Sequence, residues 1–201
     1  RAPYQIDPAF LARVDHVVNK ANEYGLTVVL DMHHYDELYA NPQPHIDRFT
    51  NIWVQLARHY AHYADDKLIF ELINEPRDKF SGAFMSNAQN RLLSMIRQSN
   101  PTRTVILSGD EWATTKGLKN LYIPPDPNIM VSVHYYDPFG FTHQGAGWTG
   151  RPMPTSATWG SDKDIKRLSA YAESLAAWQE KNNVPIFFGE FGVIENVGVN
   201  Q

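Results

Sequence analysis

Apolar positions along the chain alternate between two periods, and that alternation sets the order of the elements. Residues 7–24 carry Phe10, Leu11, Val14, Val17 and Val18 at three-and-four spacing, which predicts a helix with one buried stripe. Asp7 stands as its N-cap, Pro8 in its first turn and Gly25 as its stop. A continuous apolar run over residues 26–30 predicts a buried strand that ends in Asp31-Met32-His33-His34-Tyr35. Residues 47–64 return to helical spacing through Phe49, Ile52, Trp53, Leu56 and Tyr60. Residues 68–73 form the next strand, and residues 83–99 a helix with Leu92, Leu93 and Ile96 on one face. Residues 104–107 and 129–133 are the third and fourth strands. A long loop over 137–160, rich in Gly, Pro and aromatics, leads to a helix over 161–182 and a last strand over 185–188.

Strands alternating with helices predict an α/β fold with parallel strands. Each strand is apolar through its body and turns polar or aromatic at its C-terminal end. In a parallel barrel that edge collects active-site residues from strands far apart in sequence. A doubly wound open sheet also places polar residues there. However, no Gly-rich phosphate loop follows any strand, which argues against a nucleotide-binding version. No repeat, linker or low-complexity run divides the chain, so one domain over 1–201 is expected.

Charge and composition remove some partners. A net charge of −4 offers no attraction to nucleic acid or to an anionic membrane. No apolar stretch is long enough to span a bilayer, and no signal peptide is visible. Without cysteine there is neither a disulfide framework nor thiol chemistry.

The chemistry lies at the strand ends. Asn74-Glu75-Pro76 closes the run over 68–73, and Glu190 closes the run over 185–188 between Gly189 and Phe191-Gly192. Two glutamates at strand ends suggest paired carboxylates facing one pocket, the minimal equipment for cleaving a glycosidic bond. Burial of Glu75 would favour the protonated form that a general acid needs. Taken alone, Glu75 fits equally well as a cap before the next helix. Glu190, set among Phe187, Phe188 and Phe191, needs either a role or a buried arginine partner. His33 and His34 can share one pocket only where the strand has already ended. His134 and Tyr136, two apart, share a face and can reach a nucleophilic carboxylate. Trp148, on a Gly-rich loop, can stack on a sugar ring or pin its own loop. Trp53 and Trp178 sit at core spacing, and Trp112 and Trp159 fit either reading. Asp31, Asp110 and Glu111 read as supporting or capping residues. A metal site of His33, His34, His134 and a carboxylate is the competing chemistry, but it leaves the Asn-Glu pair unexplained. No metal or cofactor is expected.

Together these motifs resemble glycoside hydrolase family 5, whose members are (β/α)8 retaining endoglucanases and mannanases. The stretches 33–38, 99–103 and 141–145 are especially similar to Thermotoga-type bacterial endoglucanases. The resemblance implies a secreted enzyme cleaving β-1,4-linked glucan, with mannan and xyloglucan as further substrates, by double displacement. It implies Glu75 as acid/base, Glu190 as nucleophile, and carboxyl groups about 5–5.5 Å apart. Asn74 would hold the sugar 2-hydroxyl and His134 and Tyr136 would flank Glu190. His33 and His34 would line the glycone subsites, and Trp148 would stack on a sugar.

The family barrel has eight strands and this sequence shows five, matching the third to the seventh. The first two strands and the eighth are expected to be missing, so the chain reads as a truncated, partial TIM barrel. The arginine that usually ends the second strand is missing with them, and Arg1 lies too late to replace it. An open piece exposes two sheet edges, so a homodimer covering the open flank is expected. The alternative to an enzyme is a non-catalytic or weakly active sugar-binding fragment.

Overall fold

The structure, a computed structural model, describes residues 4–195, which leaves Arg1 outside the described residues. Five strands form one parallel sheet in sequence order: β1 (Val28–Asp31), β2 (Leu68–Glu71), β3 (Val105–Ser108), β4 (Ile129–Tyr135) and β5 (Ile186–Phe191). Each connection between strands carries helix, as the crossover between parallel strands usually does. The helices are α1 (Pro8–Glu23), α2 (Asp36–Ala40), α3 (Ile46–His59), α4 (Gly82–Ile96), the irregular single turn α5 (Asp110–Ala113), whose Glu111 and Trp112 leave helical φ/ψ, α6 (Phe139–Thr142) and α7 (Asp162–Asn182).

Local signals place the helix ends. Asp7 caps α1 by accepting the Phe10 N–H, and Gly25 ends it at φ +77°. Ser161 and Asp164 form a reciprocal capping box at the start of α7. Two of the short helices that depart from expectation are α2 and α6. The stretch before α3 coils into α2, which buries Leu38 and Tyr39, and the long loop after β4 contains α6. Neither is long enough for periodicity to show it.

Burial is deepest in the middle of the sheet. Phe70 and Leu72 face α3, where the Trp53 ring lies 5.4 Å from Phe70 and its indole N–H donates to the Leu72 carbonyl at 2.8 Å. Trp53 is therefore core, as its spacing predicts, and Trp178 packs partly buried against the same core. The flanks are less closed. Phe10 and Val17 of the predicted α1 stripe are 65% and 52% exposed, because α1 packs beside β1, an outer strand of the sheet. On the opposite outer strand Phe188 is 44% exposed.

Buried polar side chains fix how the elements meet. Arg103, 1% exposed, donates to the carbonyls of Leu68 (2.7 Å), Tyr63 (2.7 Å) and Tyr60 (3.1 Å) and to Asn100 Oδ1 (2.8 Å). Tyr60 and Tyr63 lie in the turn that follows α3 and Leu68 is the first residue of β2, so one guanidinium ties the end of the helix to the strand. Gln89 of α4 exchanges two hydrogen bonds with the backbone of Ser108 at the end of β3. Asp110 accepts from Gly82 N–H at the start of α4 and from Asn120 Nδ2, so this carboxylate serves the scaffold.

Replacing Arg103 by Met is expected to lower the unfolding free energy by about 3 kcal/mol, since several buried carbonyls lose a charged donor. Urea unfolding of the two proteins measures it. A loss below about 1 kcal/mol would contradict the clamp.

Candidate active site

Three strands converge at their C-terminal ends on one imidazole. His134, 3% exposed on β4, places Nδ1 2.9 Å from Glu75 Oε1 and 3.6 Å from Glu190 Oε2. Tyr136 donates its hydroxyl to Glu190 Oε2 at 2.9 Å. One ligand atom from each of Glu75, His134 and Glu190 lies within 4.8 Å of the other two. Both carboxylates are partly open to solvent, while the imidazole between them is not.

Each carboxylate reaches this point by a backbone device. Past the end of β2 the chain keeps its sheet bonds, from Leu72 N–H to the Ile106 carbonyl and from Asn74 N–H to the Met32 carbonyl. It then turns at Glu75, which adopts φ +45°, a conformation sparsely populated by residues other than glycine. Glu190 arrives by a slip of register. Val133 pairs with Phe188, but His134 pairs with Glu190, and Gly189 is left out of the ladder. Gly189 faces the imidazole. A Cβ there would sit 2.8 Å from Ser132 Oγ and 2.9 Å from His134 Nε2. The glycine therefore makes room for the histidine that joins the two glutamates.

Electrostatics follow from this packing. Burial works against the charged form of His134, but the hydrogen bond to Glu75 and the negative charges of Glu190, Glu75 and Glu71 outweigh it. The net result is a raised pKa. Burial, reinforced by the hydrogen bond to Glu190, pushes the Tyr136 hydroxyl up to about 12, so it remains a donor at neutral pH. Below the site, burial also raises the pKa of Glu71, whose Oε1 makes no hydrogen bond among the described residues.

The remaining sequence-predicted residues lie around this centre. Asn74 is buried, and its carbonyl accepts the Tyr39 hydroxyl. β1 has ended at Asp31, so His33 and His34 do share a side, with ring centroids 4.7 Å apart. His33 Nδ1 pairs with Asp31 Oδ2 at 2.8 Å. Neither histidine joins the Glu75–His134–Glu190 group, the one set among the described residues whose spacing could hold a metal ion. The buried arginine weighed as a partner for Glu190 is not found among the described residues, where its ion-pair partner is His134. His134 makes its shorter contact with Glu75 rather than with Glu190.

Trp148 is 72% exposed, on the loop that α6 anchors. That anchor is firm at its base. Thr142 donates to the Tyr136 carbonyl at 2.6 Å, and the His143 ring stacks on Phe139 at 3.9 Å and meets Tyr136 edge-on at 5.3 Å. Sequence reasoning noted the glycines beside Glu190 but not the register slip. Arg77, whose Nη1 donates to the Glu75 carbonyl at 3.2 Å, and Tyr39, whose hydroxyl donates to the Asn74 carbonyl, also border the site, and neither stands in a sequence pattern.

A family model described as "Cellulase (glycosyl hydrolase family 5)" matches residues 1–201. Endoglucanase H of Acetivibrio thermocellus is 36% identical over 192 residues, which cover 96% of this chain and 20% of that protein. Among solved structures, the cellulose synthase subunit Z of Clostridioides difficile superposes with a TM-score of 0.93 at 36% identity, covering 96% of this chain and 65% of that one. Cel5A of Thermotoga maritima, solved with cellobiose and with mannotriose, superposes with a TM-score of 0.92 at 36% identity in each case. All of this chain and 65% of that one are covered. The chain thus spans a fifth of that curated relative and about two thirds of these solved chains. Its five parallel strands form a half-barrel, part of a (β/α)8 barrel.

Two expectations test the centre. Gly189→Ala should destabilise the fold by about 1–3 kcal/mol, the range for overpacking a tight interior, as read by urea unfolding. A neutral result would mean that His134 can move aside. An imidazole with a folded pKa above the ~6.5 of an unfolded chain stabilises the fold fully below that pH and loses its contribution as pH rises through the folded value. The melting-temperature gap between the protein and His134→Gln should therefore be widest on the acid side of about pH 6.5 and narrow at alkaline pH. A gap independent of pH would mean that His134 acts through packing alone.

Proposed function

The chain belongs to glycosyl hydrolase family 5, and from that premise we propose that it is the central part of a retaining endo-β-1,4-glucanase catalytic domain. Glu75 is the acid/base and Glu190 the nucleophile. Glu75 gives its proton to the leaving glycosidic oxygen while a Glu190 oxygen attacks the anomeric carbon and forms a glycosyl ester. Glu75, now ionised, takes a proton from a water that attacks the same carbon, and Glu190 leaves as the carboxylate. The observation that carries this reading is the convergence of both carboxylates on His134, with one atom of each within 4.8 Å of the other. Retaining enzymes hold the pair about 5–5.5 Å apart, whereas inverting ones need about 6.5–9.5 Å for a water between them. The Tyr136 hydroxyl on Glu190 favours the ionised nucleophile.

Asn74, His33, His34 and Trp148 line the sugar subsites around this pair. The substrate is a β-1,4-linked polysaccharide or oligosaccharide met outside the cell. Glucan is the main chain cleaved, and xyloglucan is a further one. The solution of Thermotoga maritima Cel5A with both cellobiose and mannotriose supports mannan as another. Among the described residues no helix is long and apolar enough to cross a membrane. The half-open flank beside β1 and β5 is the surface on which a second copy would pack, and sedimentation of the chain reports its mass. The same open flank, together with a nucleophile whose ion-pair partner among the described residues is a histidine, favours a second reading: a sugar-binding, weakly active fragment.

Glu75→Gln is expected to lower turnover of carboxymethyl cellulose by roughly 10²–10⁴-fold, and Glu190→Gln to abolish it. NMR of the first product should show the β-anomer. Unchanged turnover in either variant, or the α-anomer, would refute the assignment. Cello-oligosaccharide binding by the unsubstituted chain with no release of reducing sugar would favour the second reading.

A further inference from the structure

We propose that Arg77 is a positioning residue that holds the backbone of Glu75 in its unusual conformation and so aims the acid/base carboxyl. This rests on the reading of Glu75 as acid/base. Arg77 Nη1 donates to the Glu75 carbonyl at 3.2 Å. Its guanidinium lies between two aromatic rings, 4.0 Å from the Tyr39 centroid and 4.3 Å from that of Trp112. Nη2 takes Asp36 Oδ1 at 2.9 Å. A planar cation packed over two aromatic rings is restrained from swinging away, which holds its edge nitrogens toward their acceptors.

Both plates are themselves bolted to the acid/base segment. The Tyr39 hydroxyl donates to the carbonyl of Asn74, and the Tyr39 carbonyl accepts Lys79 N–H at 3.0 Å. Trp112 N–H donates to the Pro76 carbonyl at 3.2 Å. Trp112 belongs to a run of three residues at positive φ, Glu111 (55°), Trp112 (63°) and Ala113 (54°), next to Glu75 at 45°. Such conformations persist only where surrounding contacts impose them, and they gather at functional sites. The contacts that impose this one meet at Arg77.

The plain alternative is a surface ion pair with Asp36. Asp36 is 78% exposed, where a pair contributes little, yet the Arg77 side chain is only 14% exposed. The burial belongs to the aromatic sandwich. Lysine could keep the charge but not the flat stack or the fork of donors.

The test compares aryl β-cellobiosides with different leaving groups. Dinitrophenolate departs without a proton, whereas phenolate needs one, so a misplaced acid damages only the second. Arg77→Ala should lose about tenfold or more in kcat/KM on the phenyl substrate, the scale set by small misplacements of catalytic groups, and less than about threefold on the 2,4-dinitrophenyl one. Arg77→Lys should resemble Arg77→Ala and serves in its place if the alanine variant does not fold. Glu75→Gln is the reference. If it shows the leaving-group dependence and the Arg77 variants do not, the proposal falls and the acid/base reading stands. If Glu75→Gln loses equally on both substrates, the acid/base reading falls and takes the proposal with it. A crystal structure of Arg77→Ala gives a readout independent of turnover. Glu75 should relax to negative φ, and a retained φ near +45° would overturn the proposal.

Discussion

The contact between the His134 imidazole and Gly189 is the constraint on which the site depends. A buried histidine needs space on β4, and space on the neighbouring strand exists only where no side chain stands. Leaving Gly189 out of the ladder supplies that space and moves the next residue, Glu190, level with His134. The same imidazole nitrogen already lies against Glu75. One omitted side chain thus brings together carboxylates 115 positions apart in the sequence. The Tyr136 hydroxyl donates to one of these carboxylates, and the pair in turn raises the pKa of the buried imidazole between them.

Around this point the scaffold divides by burial. The middle of the sheet is closed by side chains that satisfy specific backbone groups: Arg103 on the end of α3, Gln89 on the end of β3, and Asp110 on the start of α4. These fix β2 and β3, and so fix where the chain turns at Glu75. The outer strands have less beneath them. Phe188 on β5 and the α1 residues beside β1 remain largely open. Burial is therefore concentrated where Glu75 is anchored, and the strand that carries Glu190 lies at the sheet's edge.

Much of this was legible along the chain. The five strands and the main helices follow from apolar periodicity, with ends shifted by a few residues. The strand over 26–30 begins two residues later, and the last strand runs on to Phe191, because the ladder with β4 continues through the slip. The predicted α1 stripe was too wide, since periodicity reports which residues are apolar but not whether a neighbour covers them. Short elements such as α2 and α6 carry too few turns to show a period.

The sequence by itself determined which residues stand as candidates for the site. Glu75, Glu190, His134 and Tyr136 all fall at the ends of apolar runs, and parallel topology delivers strand ends to one edge. Tertiary structure alone decided how they meet: that His134 lies closer to Glu75 than to Glu190, that Gly189 drops out of register, and that Arg77 sits between Tyr39 and Trp112 under the turn at Glu75. The physical reason is range. Periodicity and caps are written within a few residues of one another. Register slips, aromatic sandwiches and shared hydrogen bonds join segments dozens of residues apart, and they exist only once the strands have paired.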